Sequence, residues 1–449
     1  MYGSRMVRRP LLSLVLAVAL VAAAPAAPSA AADRTPSAAF TAAAARYDVP
    51  RDLLVSLGYA QSRLDERAAG RSGGHGMMQL ADNGVSRTLS EASALTGLSR
   101  AALRTSSPAN VAGAAAVLRS YADSAGLDAA ARADLDRWYP AVARFAGAVD
   151  DTVARLFADT VYDQLATGFE GPLSVSARPV APDRGKLARV PAWGSGDVGV
   201  LSADYPPAAW APANSANFTV SSRESSYPID FVVIHVTQGS YAGSISWFQN
   251  PASKVSAHYT FRSSDGAVTQ SVREKDIGWH AGNWDYNTRS IGIEHEGFVD
   301  NPAWFTDAMY RASATLTRNL TTKYGIPRDR AHIIAHREVP GATHTDPGPH
   351  WNWTYYMQLV NGVTGTGSGT VDTASTNLNV RGGPGTGYAV VGSVADGARV
   401  TVWCQATGTT VTGTFGTSNV WNRIGTGRWV SDTFVNTGHN GFIPGVPRC

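Results

Sequence analysis

The chain has 449 residues, 44% of them hydrophobic and 16% charged, with a formal net charge of +3. That length indicates two or three domains, and the composition excludes a chain too polar to fold. So small a charge gives no reason to expect nucleic acid as a partner, and fits weak attraction to an anionic polymer such as a cell wall.

Arg5, Arg8 and Arg9 precede the apolar run LLSLVLAVALVAAAPAA, which is followed by small residues around Ala30 and Ala32. A basic start, an apolar stretch and a small-residue cleavage site make a secretory signal peptide over 1–32. Pro25 and Pro28 break the run, and no later segment approaches the ~20 apolar residues of a membrane span. The mature chain is therefore expected to begin near Asp33, without membrane insertion, as a secreted or cell-wall-associated protein. Residues 36–166 read as helical, since AFTAAAARYDV, PRDLLVSLGYAQSRLDE, VAGAAAVLRSYAD and DDTVARLFADTVYDQL repeat apolar residues at helical spacing. Pro, Gly and Ser then interrupt all periodicity, which predicts a linker over 167–225.

From 226 to 362 the pattern is mixed. DFVVIHV predicts a buried strand, SAHYTFRSSDGAVTQSV two strands around an Asp265-Gly266 turn, and SIGIEHEG another strand. TDAMYRASATLTRNLTTKYGIP predicts an amphipathic helix, with Met309, Ala312, Leu316 and Leu320 on one side and a stop at Gly325 and Pro327. AHIIAHREV returns to strand. A Gly/Thr linker over 363–371 precedes short, Gly-punctuated strands over 372–449. Cys404 and Cys449 are the only cysteines, and in an exported chain such a pair predicts a disulfide in the last module. The fold class is multidomain: an α-helical N-terminal domain, a central α/β domain with a mixed sheet, and a small all-β C-terminal domain.

Eight of the ten histidines lie between His235 and His350. Strand alternation puts Ile291, Ile293 and His295 on one face, and Gly292, Glu294 and Glu296 on the other. His235 and His336 each close an apolar strand run, and His344 and Asp346 are two apart before Pro347. A catalytic zinc needs three protein ligands and an open position, which His235, His336 and Asp346 would meet. Glu294 would then serve as proton carrier and His344 as donor to a developing oxyanion. Spacing alone leaves other triads open among eight histidines. His295 and His332 read as structural.

IDFVVIHVT, VSAHYTFRSSDG, WHAGNW, SIGIEHEG and AHREVPGATHTDPGP follow one another as in the zinc N-acetylmuramoyl-L-alanine amidases, and the central domain resembles that family, which also includes the peptidoglycan recognition proteins. The resemblance implies that His235, His336 and Asp346 hold Zn2+, that Glu294 is the acidic catalytic residue, and that His344 occupies a position filled by Lys or His. It implies hydrolysis of the amide joining the muramic acid lactyl group to L-alanine in peptidoglycan. Trp279 and His280 match a cleft-wall motif, where they either bind substrate or pack the core.

YDVPRDLLVSLGYAQSRLDERA and GRSGGHGMMQLADN resemble the lytic transglycosylase and goose-type lysozyme domains. In those domains a Glu stands where this chain has Gln61, and an amide cannot protonate a glycosidic oxygen. Asp65 lies one helical turn on, but a rescue by it would need a different cleft geometry. The lysozyme-like domain is therefore expected to be catalytically silent, either binding glycan or acting as a spacer. LNVRGGPGTGYAVVGSV and WVSDTFV resemble bacterial SH3-like domains, in which Trp421 and Trp429 line a peptide groove or fill the barrel core. Two other readings compete with a secreted zinc amidase: a non-catalytic peptidoglycan-recognition protein, and a zinc peptidase cutting within the stem peptide.

Overall fold

The computed structural model describes residue 1 and residues 35–171, 173–193 and 201–449. Apart from Met1, the signal segment expected over 1–32 lies outside the described residues. Thr35 accepts a hydrogen bond from the Ala38 N–H and starts α1 (Pro36–Tyr47), with Pro36 in the first turn, where its missing N–H is harmless. The helical region continues through α2 (Arg51–Ser62), α3 (Thr88–Thr96), α4 (Arg100–Thr105), α5 (Ser107–Ser124), α6 (Ala129–Ala133), α7 (Tyr139–Phe145) and α8 (Asp151–Thr167). Leu53, Leu54 and Leu57 of α2, Val111 and Leu118 of α5, and Leu156, Val161 and Leu165 of α8 meet in one core. The apolar spacing of each helix thus becomes one buried stripe.

The central region comprises β1 (Ala209–Trp210), β2 (Phe218–Thr219), α9 (Arg223–Ser226), β3 (Phe231–Val236), α10 (Tyr241–Gln249), β4 (Tyr259–Phe261) and β5 (Val268–Gln270). It continues with β6 (Ile277–Gly278), α11 (Trp284–Arg289), β7 (Ser290–His295), α12 (Asp307–Tyr324), β8 (Ile333–Ala335) and α13 (Trp353–Val360). Six strands form a mixed sheet in the order β1-β5-β4-β7-β3-β8, parallel except where β4 meets β5. Gly266 takes a φ of 76° at the β4–β5 turn, a conformation that favours glycine. Helix α12 ends in the left-handed cap Gly325. Val232, Ile234, Ile291 and Ile293 on one face of the sheet pack against Met309, Leu316 and Leu320 of α12 and Tyr355 and Leu359 of α13. Each fully buried aliphatic side chain there contributes about 1.5–3 kcal/mol.

The described residues within 167–225 are not the free linker that their composition predicts. Leu173, Val175 and Leu187 belong to the helical core. Strand β1 extends the central sheet by pairing with β5, and β2 pairs with β6. Proline and glycine remove helical periodicity without preventing burial, and two-residue edge strands leave almost no periodic signal.

The C-terminal region is all β, with strands β9 (Gly367–Val371), β10 (Leu378–Arg381), β11 (Val390–Val394), β12 (Arg399–Val402), β13 (Cys404–Gly413), β14 (Gly416–Gly425), β15 (Arg428–Ser431) and β16 (Val435–Asn436). They form a five-stranded sheet, β11-β10-β15-β14-β13, and a three-stranded one, β12-β9-β16. The linker expected over 363–371 is therefore shorter, because 367–371 pairs with β12 and β16 as β9. Cys404 and Cys449 form the expected disulfide. Trp421 and Trp429 are only 2% and 8% exposed, so they fill the core rather than line a groove. Among the described residues no helix is long and apolar enough to cross a membrane.

Candidate metal centre

Parallel pairing brings three strand ends together. His235 is registered against Glu294 across β3 and β7, and Ile234 against Ala335 across β3 and β8. His336 follows Ala335 and opens a short 3-10 turn, so it arrives beside His235 at the carboxyl ends of the strands. Asp346 comes from the following loop, anchored where its carbonyl accepts the Arg337 N–H at 3.2 Å.

His235, His336 and Asp346 are buried, with ligand atoms all within 4.8 Å of one another. His235 Nδ1 lies 3.2 Å from Asp346 Oδ2, and His336 Nδ1 lies 3.1 Å from Oδ1. A hydrogen-bond chain behind His235 sets its tautomer. The Ser290 hydroxyl donates to the Tyr286 carbonyl and is left to accept from His280 Nε2–H at 3.3 Å. His280 Nδ1 then accepts from His235 Nε2–H at 3.0 Å. Burial and neighbouring positive charge lower both rings, His235 to about 4 and His280 well below its ordinary value, so both are neutral near pH 7. His235 Nδ1 consequently turns a lone pair toward a carboxylate. Two acceptors at that distance repel unless a cation lies between them, so the donor set fits a divalent metal.

Burial opposes the charge of Asp346, but the Arg71 guanidinium that donates to it acts the other way, and the carboxyl lies well below the usual range. Glu294 is 6% exposed, and its Oε2 is buried without a hydrogen-bond partner. Burial pushes its carboxyl up to about 8, with Arg71 pulling down and Asp346 pushing further up. His344 is exposed, its ring centroid 5.1 Å from that of His336, and burial together with Arg71 and His336 lowers its pKa. A cleft of about 850 Å³ is lined by Glu294, His336, His344 and Trp279. A buried carboxyl with one free oxygen and a neutral imidazole on such a cleft are equipped for proton transfer and hydrogen-bond donation.

The structure therefore brings together every metal and catalytic residue expected from the sequence. The half-buried Trp279 lines the cleft and donates its indole N–H to Thr219 Oγ at 3.0 Å. His280, expected on the cleft wall as a substrate contact, also lines the cleft but hydrogen-bonds to the back of His235. His295 is structural, held between the His235 carbonyl at 2.8 Å and Ser313 at 2.7 Å. His332 pairs with Asp329 at 2.7 Å, away from the triad.

Sequence reasoning missed Arg71. This residue of the helical region hydrogen-bonds Asp346 and lies 3.8 Å from Glu294. It is 275 positions from Asp346, in the segment GRSGGHG of the transglycosylase-like motif, and neither that motif nor periodicity links it to the metal centre. Gln61 opens onto the same cleft, its Oε1 3.5 Å from the Ser240 hydroxyl. Asp65 accepts the Arg67 N–H at 2.9 Å as a turn residue.

Gly292 makes room for the histidine chain, since a Cβ there would lie 2.4 Å from the His280 ring. Gly292→Ala is expected to displace His280, free the His235 tautomer and weaken metal binding by about 10–100-fold. Chelator competition measures this; unchanged affinity would show that the chain behind His235 is dispensable.

A family model described as N-acetylmuramoyl-L-alanine amidase matches residues 225–349, and one described as Transglycosylase SLT domain matches residues 38–147. The chain is similar to N-acetylmuramoyl-L-alanine amidase A of Achromobacter lyticus, 40% identical over 179 residues that make up 36% of this chain and 98% of the relative. It is also similar to 1,6-anhydro-N-acetylmuramyl-L-alanine amidase AmpD of Escherichia coli (strain K12), 38% identical over 117 residues, 25% of this chain and 61% of that protein. Among solved structures, a selenomethionine AmpD derivative matches with a TM-score of 0.30 and 25% identity, covering 36% of this chain and 99% of that one. With the triad, the buried acid and a relative matched over nearly its whole length, the chain belongs to the N-acetylmuramoyl-L-alanine amidase family.

Proposed function

We propose that this chain is a secreted zinc amidase that hydrolyses the amide between the lactyl group of N-acetylmuramic acid and the L-alanine of peptidoglycan stem peptides. The observation that carries the metal reading is the convergence of His235, His336 and Asp346, with ligand atoms all within 4.8 Å of one another, and with the Glu294 carboxyl on the adjoining cleft. Two imidazoles and one carboxylate leave a fourth position open, the arrangement of catalytic zinc. The relatives' names supply the bond that is cut.

His235, His336 and Asp346 are the proposed ligands, with Glu294 and His344 the catalytic residues. Zinc, when bound, supplies positive charge and Lewis acidity: it polarises an amide carbonyl, acidifies water and draws the Glu294 carboxyl down from about 8. Glu294 takes the proton of the attacking water at its free Oε2 and delivers it to the leaving L-alanine nitrogen. The neutral His344 ring donates to the oxyanion, and Trp279 offers an apolar wall to the sugar. The alternatives are a binding protein without hydrolysis and a peptidase acting inside the stem. Retention of all three ligands and the acid favours the amidase over the first.

The proposed organisation has a signal peptide over 1–32, a silent lysozyme-like domain over 36–166, the amidase domain over 226–362 and a wall-binding SH3-like domain over 372–449. Digestion of purified sacculi tests the function. We expect stem peptides with a new L-alanine amino terminus to be released, lost on chelation and restored by zinc. Intact sacculi with the protein bound would point to the recognition protein instead.

A further inference from the structure

The helical domain is not tethered loosely to the metal centre. Its Arg63 guanidinium donates to Ser263 Oγ at 3.0 Å and lies 4.3 Å over the Trp304 ring. Asp150 accepts from Gln249 at 2.7 Å, and the Asn83 carbonyl from Asn250 at 3.1 Å. Tyr241, Ala242 and Ile245 of α10 complete the helical core. This docking carries the Arg71 loop into the cleft, where the Arg71 N–H donates to the Gln238 carbonyl at 3.1 Å. One arm of the Arg71 guanidinium hydrogen-bonds Asp346 Oδ1, and the other faces Glu294 Oε1 at 3.8 Å.

We propose that the lysozyme-like domain is a working half of the amidase centre, and that Arg71 is its positioning residue, holding one oxygen of the ligand Asp346 while it faces Glu294. The inference rests on the metal reading above. Asp346 and Glu294 are two buried carboxyl groups beside one cleft, with side chains 1% and 8% exposed. A planar guanidinium reaches two carboxylates at once, which a lysine ammonium does less well. With one Asp346 oxygen held by Arg71, the other stays directed at the metal position, and the carboxylate cannot rotate away from it. A domain with Gln61 in place of an acid thus keeps a task in its neighbour's chemistry.

The test is zinc affinity of the full chain by chelator competition, for wild type, Arg71→Ala, Arg71→Lys and Arg63→Ala. Arg71→Ala is expected to weaken zinc binding by about 10–100-fold, with Arg71→Lys recovering part of it. Arg63→Ala, which loosens docking away from the centre, is expected to stay near wild type. Unchanged or tighter binding in Arg71→Ala would overturn the proposal. So would an equal loss in Arg63→Ala, which would reduce Arg71 to a docking contact. A wild-type chain that binds no zinc would instead overturn the metal reading, and the proposal with it.

Discussion

Glu294→Gln is expected to lower kcat on peptidoglycan by about 10²–10⁴-fold while leaving zinc affinity near wild type, because the amide keeps the shape of the side chain but cannot carry the proton. The Oε2 atom has no protein partner to lose, and at Oε1 the amide gives up only the 3.8 Å charge contact with Arg71. Steady-state kinetics and zinc titration of the same preparation check it. A variant with wild-type kcat would remove Glu294 from the mechanism.

The same substitution has a pH signature in the metal-free protein. Burial raises the folded-state carboxyl from 4.5 to about 8, so between those values the folded state holds a proton that the unfolded state has lost. Wild-type stability therefore falls as pH rises through that window. Glutamine does not titrate, so the stability of Glu294→Gln relative to wild type is expected to rise from about pH 4.5 to pH 8 and then level off. The lowered pKa of His235 acts in the opposite direction, but in both proteins, and cancels in the difference. Denaturation in chelator across this range reads the effect; a flat difference would mean that Glu294 titrates normally.

Asp346→Ala is expected to abolish zinc binding and activity together and to destabilise the chain by about 1–3 kcal/mol, the scale for leaving buried hydrogen-bond donors without their acceptor. Its carboxylate is 1% exposed and serves Arg71, the Val236 N–H and both ligand histidines. Removing it leaves the part-exposed Arg71 guanidinium and the buried Val236 N–H without their acceptor. Urea denaturation and metal analysis measure the two effects. Full stability with zinc retained would mean that the ligand set is wrong.

Strand phase made part of the centre legible: His235 and His336 close apolar runs, and Glu294 alternates with Ile291 and Ile293. Spacing left other triads open among the eight histidines, and the resemblance to the amidase motifs singled out His235, His336, Asp346 and Glu294. The hidden parts depend on contacts that periodicity does not encode. Arg71 reaches Asp346 only because two domains dock, and nothing in its own loop announces that. His280 carried the right motif, but its hydrogen bond to His235 depends on Gly292, whose missing side chain gives no positive signal. Strand β1 escaped notice because two residues cannot display alternation. Trp421 and Trp429 read equally well as groove or core, and only burial separated the two.

Hydrolysis of a defined N-acetylmuramoyl peptide in ¹⁸O-labelled water, read by mass spectrometry, tests the central claim most directly. The account predicts one ¹⁸O atom in the lactyl carboxylate of the muramic acid, an unlabelled peptide beginning with L-alanine, and no reaction when zinc is removed. Label in a carboxylate within the stem peptide, or cleavage that survives metal removal, would contradict it.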